Sequence, residues 1–198
     1  LIGPVIDVKP DQLPDQTELK RKLGFDPSKP LIHCSVSGSK FERAYFANKL
    51  THILSRLPDK YQAVLSRGDF EGSSRPERRN NLLVYNWIEN QHEYYKACDL
   101  VVSRAGHGTI LKSLTYGKPL ILIPIPEHTE QYGNARRAAQ LKLAKVINQN
   151  QLSRESFLNA VEEILQSDGY SRRALQVSEM TRSLDAVETA AKIIMSVT

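Results

Sequence analysis

Ser103-Arg104-Ala105-Gly106-His107-Gly108-Thr109 brings two glycines, a hydroxyl, a guanidinium and an imidazole into one short stretch. Glycines let a ligand approach backbone N–H groups, and the first amides of a helix carry partial positive charge, so such a stretch can cradle a diphosphate. Arg104 and His107 would offset charge building on a departing nucleotide. The plainer alternative is that Gly106 and Gly108 only make a turn and that His107 is an ordinary helix-start residue.

Two further stretches have similar makings. Ser37-Gly38-Ser39 also follows an apolar run and precedes a helical pattern, which suits contact with an anion, although a Gly/Ser turn in that position is often a simple connection. Glu130 and Gln131 pair a carboxylate with an amide, the groups best suited to accept from and donate to sugar hydroxyls. Read alone, they are polar residues that favour the first turn of a helix. The sequence contains neither the lysine-bearing loop of P-loop ATPases nor a Gly-x-Gly-x-x-Gly dinucleotide fingerprint, which argues against both activities. It also lacks an Asp-x-Asp metal–diphosphate motif, so no metal and no cofactor is expected.

These loops need elements to hold them. The short apolar runs Leu31–Val36, Tyr61–Leu65, Leu82–Tyr85, Leu100–Ser103, Leu120–Pro124 and Lys145–Asn148 predict strands, separated by segments of helical length. Phe46, Leu50, Ile53, Leu54 and Leu57 fall on one face of a helix after Ser39, and Ser153 is a natural N-cap for a helix bearing Phe157, Val161, Ile164 and Leu165. Helices are also expected over Ser171–Ser183 and Asp185–Met195. Several strands are apolar throughout rather than alternating, which suits burial on both faces. The expectation is an α/β fold, Rossmann-like, with a doubly wound, mostly parallel sheet whose ligands bind where strand carboxyl ends open into loops. Residues 1–30, punctuated by proline and carrying one helical stretch over Gln16–Leu23, read as an interdomain linker with the first elements; 31–198 reads as the α/β domain with C-terminal helices.

The chain has 198 residues, is 40% hydrophobic and carries a formal charge of +5, a composition for one domain with a sizeable core. The basic pairs are scattered and read mainly as solvated faces, with attraction to anionic lipid or phosphate as the alternative. No stripe of basic and aromatic residues suggests nucleic acid. Cys34 and Cys98 match no metal or redox spacing, which predicts inert thiols and a cytoplasmic setting, with peripheral membrane contact as a further expectation. Leu1 in place of methionine suggests a piece of a longer protein.

Taken in order, Gly3-Pro4, Val84-Tyr-Asn-Trp-Ile88, Cys98-Asp-Leu-Val-Val-Ser-Arg-Ala-Gly106, Tyr116-Gly-Lys-Pro119 and Glu130-Gln-Tyr-Gly-Asn-Ala135 resemble the C-terminal domain of GT-B fold glycosyltransferases. The likeness is greatest to the MurG-like UDP-N-acetylglucosamine transferases. It implies a UDP-sugar donor whose uracil lies at Trp87 and Ile88. The diphosphate would lie at Arg104, Gly106, His107, Gly108 and Thr109 and near Ser37, Gly38 and Ser39, and the sugar at Glu130 and Gln131. Lys112 departs from the pattern, because the family commonly has a glutamate there that bonds the ribose.

The resemblance further implies transfer of a hexose or N-acetylhexosamine, N-acetylglucosamine first, to an acceptor hydroxyl, a lipid-linked one included. No catalytic base is assigned in this chain; it is expected in an acceptor-binding N-terminal domain or a partner subunit. Alternatives are a nucleotide-sugar epimerase of the same fold and a non-enzymatic basic binding module.

Overall fold

The computed structural model describes residues 3–73 and 75–196. After a 3-10 turn at Pro10–Gln12 come α1 (Gln16–Lys22), β1 (Leu31–Ser35), α2 (Lys40–Leu54), β2 (Gln62–Ser66), β3 (Glu77–Arg79) and β4 (Leu82–Tyr85). The chain continues through α3 (Gln91–Ala97), β5 (Leu100–Ser103), α4 (His107–Thr115), β6 (Leu120–Leu122), α5 (Thr129–Gln140) and β7 (Ala144–Val146). A second 3-10 turn, Gln149–Gln151, precedes α6 (Arg154–Gln166), α7 (Asp168–Arg182) and α8 (Ala186–Ser196).

The strands form one sheet in the order β3-β4-β2-β1-β5-β6-β7. Every pairing is parallel except that of β3 with β4. Successive side chains of a strand point to opposite faces, so a strand buried on both faces feeds two cores. Ile32 and Cys34 join Phe46 and Leu50 of α2 and Phe157 and Val161 of α6 in one. Leu31 joins Leu19 of α1, Tyr95 of α3, Leu114 of α4 and Ala138 of α5 in the other. The doubly wound, mostly parallel sheet is therefore as the sequence predicts, and Ser153 does cap α6, accepting from the Ser156 N–H.

The sequence patterning misses β3. Glu77, Arg78 and Arg79 include no apolar residue, and all three are exposed at the sheet edge, where charge discourages pairing with another chain. The β6 and β7 ladders are also shorter than the apolar runs suggest. Ile123 is fully buried, but it lies beyond the last ladder residue of β6, Leu122, and Pro124 after it has no N–H to donate.

Residues 3–30 lie against the domain. Asp99 accepts from Lys20 Nζ and the Leu31 N–H, both at 2.8 Å, while its other oxygen accepts from Gln16 Nε2 at 2.8 Å. Leu19 and Phe25 are buried beside them. The Tyr116 hydroxyl donates to the Val8 carbonyl at 2.7 Å, which ties the same segment to the end of α4.

One core position is chemically costly. His33 on β1 is fully buried, with its ring edge against Tyr95 at 4.8 Å and no hydrogen-bond partner on either ring nitrogen. Burial disfavours the imidazolium and holds its pKa down at about 3, below the ordinary 6.5. Above pH 6.5 both folded and unfolded states keep this histidine neutral. As pH falls from 6.5 towards 3 only the unfolded state takes up the proton, so the group costs about 1.4 kcal/mol of stability per pH unit. We expect His33→Leu to remove that slope. Urea midpoints for the two proteins measured between pH 7 and pH 4 should diverge progressively, and parallel curves would contradict the burial of a neutral imidazole.

Candidate functional site

Because β1, β2, β4, β5, β6 and β7 are parallel, the loops after them open on one edge of the sheet. The chain winds outward from β1 through β2 to β4, then crosses back to β5 and winds outward through β6 to β7. The direction reverses between β1 and β5, so a crevice forms there at the strand ends. Ser37–Ser39 follows β1 and Arg104–Gly106 follows β5, which puts two of the sequence-predicted loops on either side of that crevice. The loop carrying Glu127 and His128 follows β6, the next strand over.

The β5 loop turns sharply into α4. Ala105 is fully buried at φ 61°, in the left-handed region that costs an alanine about 1 kcal/mol. Its carbonyl accepts from Asn134 Nδ2 at 3.1 Å, which holds the turn. Gly106 then caps α4 without a side-chain hydrogen bond. The first intrahelical bond of that turn is the Ile110 N–H donating to the Gly106 carbonyl at 3.1 Å, so the amides of His107, Gly108 and Thr109 have no carbonyl within the helix to reach. A Cβ added at Gly106 or Gly108 would meet nothing within 4 Å. The helix start therefore combines first-turn amides that lack an intrahelical partner with open space around Gly106 and Gly108 and an exposed His107 side chain.

Arg104 lies beneath this loop, 1% exposed. Its guanidinium stacks at 4.0 Å from the Phe46 ring centroid, donates to Glu42 Oε2 at 3.2 Å and is in contact with Gln149 Oε1. Its Nε is buried without a partner. Burial draws its pKa down to about 10, partly opposed by Glu42 and Tyr132, so it remains a cation at neutral pH. Arg104 thus ties the β5 loop to the first turn of α2 and to the turn after β7. No sequence-local signal foretells this, because its partners stand 62 and 45 residues away.

The β1 loop packs against the β6 loop. Gly38 has φ +126°, and a Cβ there would come within 3.1 Å of Ile125 Cδ1. Ser39 caps α2 without a side-chain hydrogen bond. In the first turn of α5, Gln131 is 7% exposed and its Oε1 accepts the Ile125 N–H at 2.8 Å. Glu130 is exposed, and its Oε1 accepts from Asn134 Nδ2 at 3.1 Å. Asn134 therefore links the β5 loop to Glu130, a role missed in the sequence although its spacing of four residues from Glu130 puts both on one helix face.

Trp87 and Ile88 lie in the connection from β4 to α3, which carries the chain back across the sheet. Trp87 is 41% exposed, whereas Ile88 is buried in the core with α3. A pocket of about 320 Å³ lies next to the first turns of α4, lined by Gln91, Tyr95, Gly108, Thr109, Lys112 and the Pro4–Ile6 segment. Lys112 Nζ is 5.8 Å from the Tyr95 ring centroid. The position that departs from the family pattern therefore borders this pocket. Among the described residues, no group of three His, Cys, Asp or Glu is placed to hold a metal ion.

A doubly wound, mostly parallel sheet of this order is the architecture of one half of the GT-B fold, and solved structures share it. The calicheamicin glycosyltransferase CalG4 superposes with a TM-score of 0.71 at 19% identity, over 86% of this chain and 44% of that one, a likeness of fold. The model of the glycosyltransferase family 28 C-terminal domain matches residues 36–193, and the chain belongs to that family.

An uncharacterized glycosyltransferase of Methanopyrus kandleri is 26% identical over 169 residues, 83% of this chain and 46% of that protein. The UDP-N-acetylglucosamine–N-acetylmuramyl-(pentapeptide) pyrophosphoryl-undecaprenol N-acetylglucosamine transferase of Thermosipho africanus is 30% identical over 147 residues, 73% of this chain and 42% of that protein. The chain spans about half the length of these curated relatives. Within that family the chain is MurG-like.

Proposed function

We propose that this domain binds the UDP-sugar donor of a glycosyltransferase, with N-acetylglucosamine as the sugar and an acceptor hydroxyl, on a lipid-linked acceptor, as its destination. The observation that carries the proposal is the start of α4 at the topological switch point, which has no side-chain cap and whose two glycines, Gly106 and Gly108, border open space. The diphosphate lies against the amides of His107, Gly108 and Thr109, with Ser37, Gly38 and Ser39 across the crevice. Arg104 acts from below by fixing the two loops. Uracil lies towards Trp87 and Ile88, where the exposed indole offers a ring face. Glu130 accepts from sugar hydroxyls, and Gln131, its Oε1 already bonded to Ile125, donates through its amide N–H groups.

In this reading the bond from the anomeric carbon to the UDP oxygen breaks through a transition state with oxocarbenium character. The negative charge left on the diphosphate meets fixed amides and His107, a preorganised field that needs no reorganisation as charge develops. The acceptor hydroxyl and the base that takes its proton belong to an acceptor-binding domain or partner subunit. The names of the N-acetylglucosamine transferase relatives support both the donor and the lipid-linked acceptor, and from them we infer work at the cytoplasmic membrane surface. No helix among the described residues is long and apolar enough to cross a membrane.

Calorimetric titration of the chain with UDP, UDP-N-acetylglucosamine, UDP-glucose and ADP, without added metal, tests the reading. Selective binding of the uridine ligands is expected, with UDP-N-acetylglucosamine bound more tightly than UDP-glucose. Equal affinity for ADP and UDP, or binding of neither by folded protein, would count against a uridine donor site here.

A further inference from the structure

A second basic pocket opens on the same sheet edge, on the far side of α2 from Arg104. It holds about 260 Å³ and is lined by Lys40, Arg43, Asn48, Arg67, Asp69 and Asn86, together with two alanines of α2. Glu42, between Lys40 and Arg43 in sequence, bonds to Arg104, so the first turn of α2 separates this pocket from the β5 loop. Gly68 stands between the lining residues Arg67 and Asp69. At φ +73° it packs so tightly that an added Cβ would sit 2.3 Å from the Val36 carbonyl oxygen.

Three cations and one carboxylate line the pocket, and no side-chain hydrogen bond or ion pair to Arg43 or Arg67 is found among the described residues. Arg67 Nε is buried without a partner. Of the carboxylates nearby, Asp69 Oδ1 accepts the Glu71 N–H at 3.3 Å, Glu71 lies 4.0 Å from Lys40 Nζ, and Glu77 is held by the Arg79 guanidinium with a weaker attraction from Arg67. Guanidinium groups left unpaired around a cavity, with an amide on either side, fit a tetrahedral oxyanion better than any neutral group.

We propose that this pocket is a phosphate-binding site separate from the donor site, which takes a phosphate group carried by a ligand other than the donor nucleotide. Arg43 and Arg67 grip its oxygens, and Asn48 donates beside them; Asn86, whose Nδ2 already donates to the Ser73 carbonyl at 3.2 Å, has one N–H left to add. Because the pocket borders the same edge as the crevice, a phosphate held there lies beside the donor rather than behind the domain.

Binding of inorganic phosphate and pyrophosphate to the full chain, followed by 31P NMR with UDP absent and then saturating, tests this. Saturable binding that persists with UDP bound, and weakens at least about tenfold in both Arg43→Gln and Arg67→Gln, is the expected result. Both variants should keep the wild-type melting temperature and UDP affinity. Phosphate displaced by UDP, unaffected by both substitutions, or not bound at all would overturn the proposal. Flotation with vesicles containing phosphatidic acid, against phosphatidylcholine alone, distinguishes the source of the phosphate. Capture that depends on Arg43 and Arg67 indicates a lipid headgroup, and phosphate binding without capture indicates a soluble phosphate. Failure here would leave the uridine-selective titration untouched.

Discussion

Gly108→Asp should weaken UDP binding by about 100-fold while leaving the fold as stable as before, or more so. A Cβ at this position meets nothing within 4 Å, and the residue sits in the first turn of α4, so an aspartate side chain can be accommodated without displacing any neighbour. Replacing a helical glycine and adding a carboxylate near a helix N-terminus each favour the helix by up to about 1 kcal/mol. The same carboxylate stands where the diphosphate is proposed to lie. Two like charges about 4 Å apart near a protein surface repel by several kcal/mol before salt screening, and about 2.7 kcal/mol corresponds to 100-fold.

Gly108→Ala provides the control, with a loss of no more than about threefold expected, since it adds neither charge nor a clash. Calorimetry for affinity and thermal melting for stability separate the two effects. Unchanged UDP affinity in Gly108→Asp would mean that the diphosphate does not lie at the start of α4.

The second large effect is expected at Arg104, and it falls on stability. Arg104→Ala removes a fully buried side chain from between Phe46, Glu42 and Gln149. Loss of the packing volume and of the buried pair should cost about 3 kcal/mol, at the lower end for such losses because the Glu42 side chain is 36% exposed and partly rehydrates. In a chain of this length that corresponds to a melting temperature lower by roughly 10 °C. Arg104→Met preserves the stacking volume on Phe46 and should lose clearly less. Its UDP affinity should remain within about threefold of the original, because Arg104 is proposed to fix the loops and not to touch the nucleotide. A tenfold or greater loss of UDP binding in a stable Arg104→Met protein would place the guanidinium on the phosphate after all.

Much of the architecture was legible because it is written in local pattern. The runs at Leu31–Ser35, Leu82–Tyr85 and Leu100–Ser103 are short, mostly apolar and bounded by turn residues, which suits a strand buried on both faces. The helix after Ser39 shows its buried face in the spacing of Phe46, Leu50, Ile53 and Leu54, all of them buried. The edge strand at Glu77–Arg79 escaped notice because solvent covers both its faces, which leaves no periodicity to detect. The candidate loops could be located from glycines and hydroxyls at strand ends, yet the environment of each side chain could not. Asn134 behaves alike: its position on the face of Glu130 is local information, but its bond to the Ala105 carbonyl needs α5 to pack beside the β5 loop.

The sequence by itself therefore determined the α/β class, the run of strands and helices, and the glycine-bearing turns, since each depends on the identity of residues within a few positions along the chain. Only the tertiary structure decided that β1 and β5 are neighbours, which turns two separate loops into the walls of one crevice. It alone decided that Arg104 is buried rather than presented, that Gln131 spends its carbonyl on Ile125, and that Arg43 and Arg67 converge on one pocket. Burial, hydrogen-bond partnership and electrostatic field belong to groups brought together from distant parts of the chain, and strand order, which no local pattern encodes, decides which groups those are.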